Sequence, residues 1–273
     1  MKRKEKLLEE EKKLLNEEKQ FIKKEEEIIK EGEKKLIKDE KELFLECEKK
    51  WVFLLLMMSG GFMGAFTYTI RGNVFCNAQT ANFLMLGISL GEGNFKHALF
   101  YFIPISAYVL GAIASEILPT PIKHYGLFRW DTWLVGFEAL ILFIIGFIPT
   151  TVPDPVVQVA VNFIASMQYN TFRQAEGIPM ATTFCTNHIR QVGIGVAKLF
   201  RKHDQKGFHR GMEHLGMIVC FCVGAFLLSV FCKFMNEKSI WIALVPLLIL
   251  FYRLAHADLT WEHDLLNKKP AGH

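Results

Sequence analysis

The chain has 273 residues, 32 basic and 28 acidic side chains and a formal net charge of +4. Residues 1–50 hold 16 Lys/Arg and 16 Asp/Glu, leaving 16 basic and 12 acidic groups for the other 223 residues. A soluble domain carries roughly one charge in four. The long remainder carries about one in eight, which excludes a single soluble globular domain.

From the N-terminus, residues 6–29 repeat every seven positions, with apolar pairs Leu7/Leu8, Leu14/Leu15, Phe21/Ile22 and Ile28/Ile29. Such a repeat on Glu/Lys-rich sequence predicts a long charged helix over 1–50, with one narrow apolar stripe. Two roles stay open: a weak coiled coil that sets oligomer state, or a solvated helix. Equal numbers of opposite charges argue against nucleic acid as a partner. A cleavable leader is not expected, because the first 30 residues are Lys and Glu rather than an apolar core.

Residues 51–257 read as the membrane domain and 258–273 as a tail. The apolar runs Trp51–Ile70, His97–Leu118, Trp130–Pro149 and Met212–Phe234 each approach the ~20 residues that cross a bilayer as helix. The six cysteines form no CxxC pair and read as inert thiols. The histidines show no metal-ligand spacing, so no metal or cofactor is expected.

An internal repeat is visible within this domain. Thr80, Gly87 and Ile88 match Thr186, Gly193 and Ile194 at an offset of 106. Repeat A covers 51–150 and repeat B 153–257, each with four apolar elements in the same order. The second element of each is short and opens with polar residues: Phe75–Leu90 after Asn77, Gln79, Thr80 and Asn82, and Pro179–Phe200 after Thr182, Thr183, Thr186 and Asn187. These predict half-helices preceded by irregular backbone, which a membrane tolerates only beside protein or a wet cavity. If both half-helices re-enter, most basic loop residues fall on the cytoplasmic side. The fold expected is an all-α polytopic membrane protein. It has about six transmembrane helices plus two re-entrant half-helices in inverted repeats, with both termini cytoplasmic.

The stretch SGGFMGAFTYTIRGNVFCNAQTANFLMLG (59–87), followed by TTFCTNHIRQVG (182–193), resembles the YoaK family of bacterial membrane proteins, a domain of unknown function. The resemblance covers about 51–257 and implies a six-span protein of the cytoplasmic membrane, without a substrate. Three positions depart from the family pattern. Gly64 stands where many members carry an acid, Ala81 replaces a Gly, and Asn187-His188 replaces a Gly-Asn. The change at Gly64 argues against proton or cation coupling through that position.

Two half-helix N-termini converging from inverted repeats would offer unpaired N–H groups to a small polar or anionic solute. The alternative is that Asn77 and Thr183 cap helices and the other polar residues stitch the bundle. Arg71 and Glu176 are nearly related by the offset, which predicts a pair acting as a tie or gate. Arg190 is the other basic group near a half-helix. Glu138, mid-run in Trp130–Pro149, is an intramembrane acid and a candidate by that fact. No nucleophile–base arrangement is present, so an enzyme is not expected. The function predicted is a small secondary transporter or channel, with a homodimer plausible on size. The alternative is a non-transporting scaffold or sensor whose arm oligomerises or recruits a partner.

Overall fold

The computed structural model describes residues 44–122 and 126–270. The heptad arm up to residue 43 lies outside the described residues. So do Lys123 and the last three residues of the tail.

Eight helices carry the fold: α1 (Lys50–Ile70), α2 (Gln79–Gly91), α3 (Phe95–Ile117), α4 (Trp130–Ile145), α5 (Asp154–Thr171), α6 (Thr186–Lys202), α7 (Gln205–Met235) and α8 (Leu244–Leu259). A helical turn, Pro119–Ile122, extends α3, and a 3₁₀ stretch, Asn236–Ala243, joins α7 to α8. The only strands among the described residues are β1 (Gln174–Ala175) and β2 (Ile178–Pro179), paired antiparallel. Three stretches are long and apolar enough to cross a bilayer: Lys50–Ile70, Phe95–Ile122 and Gln205–Leu259. The predicted run Trp130–Pro149 yields a helix of only 16 residues, because the chain turns at Gly146 ahead of Pro149. The chain is thus an all-helical membrane protein.

Local chemistry sets several boundaries. Asn94 caps α3 by accepting from the His97 N–H at 3.1 Å, and Asp204 caps α7 by accepting from the Gly207 N–H at 2.9 Å. Each satisfies a donor with no partner inside its helix. Pro155 sits in the first turn of α5, where a missing N–H costs nothing.

α1 lies at the centre, packed against α5, α7 and α8. Its residues Phe53, Leu56, Met57, Phe62, Met63 and Phe66 are fully buried. The other main helix pairs are α3 with α5, α2 with α3, α6 with α7, α4 with α5 and α4 with α8. Exchanging the first four helices with the last four, in order, leaves this set of pairs unchanged. Leu45–Lys50, which the charge count assigns to the arm, pack into this domain: Leu45 and Cys47 are buried in its core, and the Glu46 N–H donates to Glu262.

Helix contact is closest where side chains are missing. A Cβ on Gly61 of α1 would stand 2.1 Å from the Phe221 carbonyl oxygen of α7, and one on Gly224 would stand 2.2 Å from that of Met58. Gly111 of α3 meets Phe163 O of α5 in the same way, at 2.3 Å. Small residues allow such contact where lipid supplies no hydrophobic drive. The half-helices contrast with this. Gly87 of α2 and Gly193 of α6 face open space. Substituting Gly61→Ala or Gly224→Ala is expected to lower the melting temperature, by overpacking worth ~1–3 kcal/mol. Gly87→Ala and Gly193→Ala should be neutral, or stabilising by up to ~1 kcal/mol. Thermal unfolding of the four detergent-solubilised variants checks this ordering.

Candidate functional site

After α1 the chain makes a turn in which Gly72 and Asn73 both have positive φ, 75° and 58°. It then runs non-helically to Ala78. After α5 it does the equivalent: Glu176 and Gly177 have φ 47° and 74° at the tip of the β1–β2 hairpin. That is the paired left-handed turn a tight hairpin requires. Non-helical backbone then continues to Cys185.

The first leader is held by a row of side chains. Gln158 Nε2 donates to the Arg71 carbonyl at 2.7 Å. Asn162 Nδ2 donates to Gln158 O at 2.8 Å, while its Oδ1 accepts from Gln79 Nε2 at 2.9 Å. Gln79 also donates to Cys76 O, and its Oε1 accepts from Asn82 Nδ2 at 3.1 Å. Asn82 completes the row by exchanging bonds with Phe75 N–H and C=O. A membrane interior requires such satisfaction of backbone outside a helix.

The two leaders meet at Gly60 of α1. Asn77 Nδ2 donates to the Gly60 carbonyl at 3.0 Å. On the other side, Thr182 O and Thr183 Cα lie 2.8 and 3.3 Å from where a Gly60 Cβ would be. Gln168 of α5 donates to both Leu56 O and Thr182 O at 3.3 Å. Several buried polar atoms have no partner: at this junction the hydroxyls of Ser59, Thr182 and Thr183 and the Gln168 amide oxygen, and elsewhere on α5 the Ser166 hydroxyl, beside Gly111 of α3, and the Gln158 amide oxygen, near Gly72. An opening of about 300 Å³ is lined by Tyr169, Asn170, Arg173, Ala181, Phe184 and Asn187 among others, next in sequence to the buried Thr182.

The sequence-predicted residues divide between this junction and the surface. Asn77, Asn82, Thr182 and Thr183 are buried. Gln79 joins the carboxamide row, and Asn187 lines the opening. Thr80 and Thr186 are exposed and stand apart from the junction, so the two half-helix starts do not enclose a site between these threonines. Neither half-helix has a side-chain cap. Asn77 binds Gly60 instead of capping.

The Arg71–Glu176 pair does not form. The Arg71 guanidinium, fully buried, donates to the carbonyls of Pro149 and Ile148 and lies 4.0 Å from Asp154. Glu176 pairs with Lys50 at 3.1 Å, and its backbone N–H donates to Glu48 O. The two charges sit at opposite ends of the bundle, because α1 and α5 each carry one of them past its own C-terminus. They are nevertheless equivalents: Arg71 reaches the start of α5, and Glu176 reaches the start of α1, with signs reversed. Arg190 is exposed and donates to Asn187 at 2.9 Å. Glu138 is fully buried in α4, and neither carboxylate oxygen has a partner.

Two further polar groupings were not read from the sequence. His188 at the start of α6 contacts His214 of α7, Nδ1 to Nδ1, at 2.8 Å, and its Nε2 meets Ala181 O at 2.9 Å. At the end of the bundle where α1 begins, Arg129 binds Asp131 at 3.2 Å. Asp258 accepts from the Arg129 N–H and the Thr132 hydroxyl. Burial pulls the Arg129 pKa down, but Cys47, Asp131 and Glu262 together reverse this and hold it above its ordinary value. Burial also pushes the Glu262 carboxyl up, against the Glu46 N–H and Arg129. The missed α5 residues did leave a signal: Gln158, Asn162 and Ser166 recur at four-residue spacing, which puts them on one helix face.

Asn162→Ala removes the central member of the row and strands Gln79, an expected loss of about 1–3 kcal/mol. Glu138→Met should do the reverse and raise the melting temperature, since it replaces a buried unpartnered carboxyl by an apolar chain. A Glu138→Met variant that melts lower than wild type would show that a partner is missing from this account.

Comparison with known proteins follows the same boundaries. The chain is 23% identical over 210 residues to the UPF0700 transmembrane protein YoaK of Bacillus subtilis (strain 168), covering 75% of this chain and 92% of that protein. No solved structure matches it. The family model described as "Protein of unknown function (DUF1275)" matches residues 52–252, from the first turn of α1 into α8, and the chain belongs to that family.

Proposed function

We propose that this protein is a small membrane transporter or channel. Its solute is polar, carries N–H or O–H groups, and passes the Gly60 junction. The observation that carries this reading is the set of unpartnered buried oxygens on Ser59, Thr182, Thr183 and Gln168. Left unpaired, each costs about 1–3 kcal/mol, and a bound solute or water would relieve that cost. Gln168 presents an acceptor, which is why a donor-bearing solute is favoured over a bare anion. The opening beside Ala181 and Asn187 gives access one residue from Thr182. The site expected between Thr80 and Thr186 thus moves inward to the junction.

The same reading takes six helices as crossing and α2 and α6 as re-entrant, in inverted repeats of the cytoplasmic membrane with both termini inside. Support comes from the exchange of helix pairs between halves and from the matched left-handed turns after α1 and α5. Reporter fusions in the 150–154 and 201–210 loops should report opposite sides. Finding both on one side would refute the inversion.

A second copy would cover the outer faces of the half-helices. Thr80, Phe83, Leu84, Gly87 and Ile88 are exposed on α2, and Thr186, Ile189, Arg190, Gly193 and Ile194 on α6, at the same spacing. Arg190 among them would be costly against lipid. Light scattering should give a dimer that Gly193→Trp converts to monomer, and a wild-type monomer would discard the interface.

For the solute, a thermal-shift panel of amines, amides, polyols, nucleobases and carboxylates should contain one class that raises the melting temperature. That shift should disappear in Ser59→Ala and Thr182→Val, which keep the packing. Silence across the panel, with no uptake into proteoliposomes, would sink the transporter reading.

A further inference from the structure

A cleft of about 150 Å³ lies at the end of the bundle where α1 begins, away from the Gly60 junction. Four basic residues line it, Arg129, Arg173, Lys268 and Lys269, against two acids, Glu116 and Asp131. Both acids are already engaged. Asp131 accepts from the Arg129 Nε and Nη2, and Glu116 accepts from Arg173 and Asn170. Lys268 and Lys269 make no ion pair among the described residues. Arg129 is 5% exposed, yet its Nη1 is buried without an acceptor. A guanidinium is built to present paired donors to a planar or tetrahedral oxyanion. Asp131 takes the Nε–Nη2 edge, Nη2 also contacts Cys47 Sγ at 3.6 Å, and Nη1 alone is left without an acceptor. Thr120 adds a hydroxyl to the same wall.

We infer that this cleft binds a phosphate group, held by Arg129 Nη1 and the Lys268 and Lys269 ammonium groups. The excess of two positive charges supplies the attraction, and the unfilled arginine donor supplies the specificity. Two sources share this chemistry. One is the headgroup of an anionic lipid, since basic pockets between helix ends at a bilayer surface take such headgroups. The other is free phosphate. Arg173 lines both this cleft and the opening beside Asn187.

The test uses the full chain in neutral detergent at constant ionic strength. One arm titrates inorganic phosphate against chloride. The other titrates short-chain phosphatidylglycerol against phosphatidylcholine. Melting temperature and native mass spectrometry are the readouts. A rise with phosphate alone assigns a free-anion site, and a rise with phosphatidylglycerol only, with one lipid retained per chain, assigns a headgroup site. In either case Lys268→Gln with Lys269→Gln, both in the tail, should weaken half-saturation about fivefold per lysine while leaving the unliganded melting temperature unchanged. Arg129→Lys should weaken it further, because an ammonium lacks the separate Nη1 donor. No shift from either titrant, or an equal shift in the double lysine variant, overturns the inference.

Discussion

Inside a bilayer every backbone N–H and C=O must find its partner within the protein, and this molecule leads into α2 and α6 through two non-helical segments. The face of α1 from Ser59 to Gly64 makes that arrangement possible. Gly60 gives its carbonyl to Asn77 and its vacant side-chain space to Thr182 and Thr183, while Gly61 admits the backbone of α7. Side chains on this face would push both leaders and one helix away together. The burial of α1, the placing of both leaders and the polar junction therefore share one cause.

The second requirement is met from α5. Gln158, Asn162 and Gln168 supply amide donors to backbone carbonyls at Arg71, Gln158, Leu56 and Thr182. Carboxamides suit this task because each carries both donor and acceptor without a charge to desolvate. Their use is incomplete. The oxygens of Gln158 and Gln168 are left over, together with four hydroxyls. A cluster with purely structural duties would be costly in that state, whereas a site that opens to a solute has a use for it. The charged groups follow a different rule. Arg71–Asp154 and Glu176–Lys50 sit at opposite ends, each tying the exit of one half to the entry of the other.

Much of the fold was legible from residue types. The apolar runs located α1, α3, α4 and α7, and the polar heads of Phe75–Leu90 and Pro179–Phe200 located the two short helices. The offset that pairs Thr80 with Thr186 also gave the correct order of elements. The site was legible only in part. Of the candidates named from sequence, Asn77, Thr182 and Thr183 are buried beside Gly60, whereas Thr80 and Thr186 face outward. An identity between repeats marks an equivalent position, not its direction. The α5 carboxamides escaped because that run was read as apolar, although their four-residue spacing was present. Arg71 and Glu176 were matched because the repeat relates them, and a residue's equivalent is not its contact.

The sequence by itself determined the class and the interrupted second element of each half. Those features follow from hydropathy and from Gly, Pro and polar residues acting on their own neighbourhood. Tertiary structure alone decided which polar atoms meet at Gly60, which are left unpaired, and that Arg129 keeps one nitrogen without an acceptor. Those outcomes depend on distances of a few ångströms between segments about a hundred residues apart. The approach of backbone to a bare helix face fixes those distances, and residue type does not encode them.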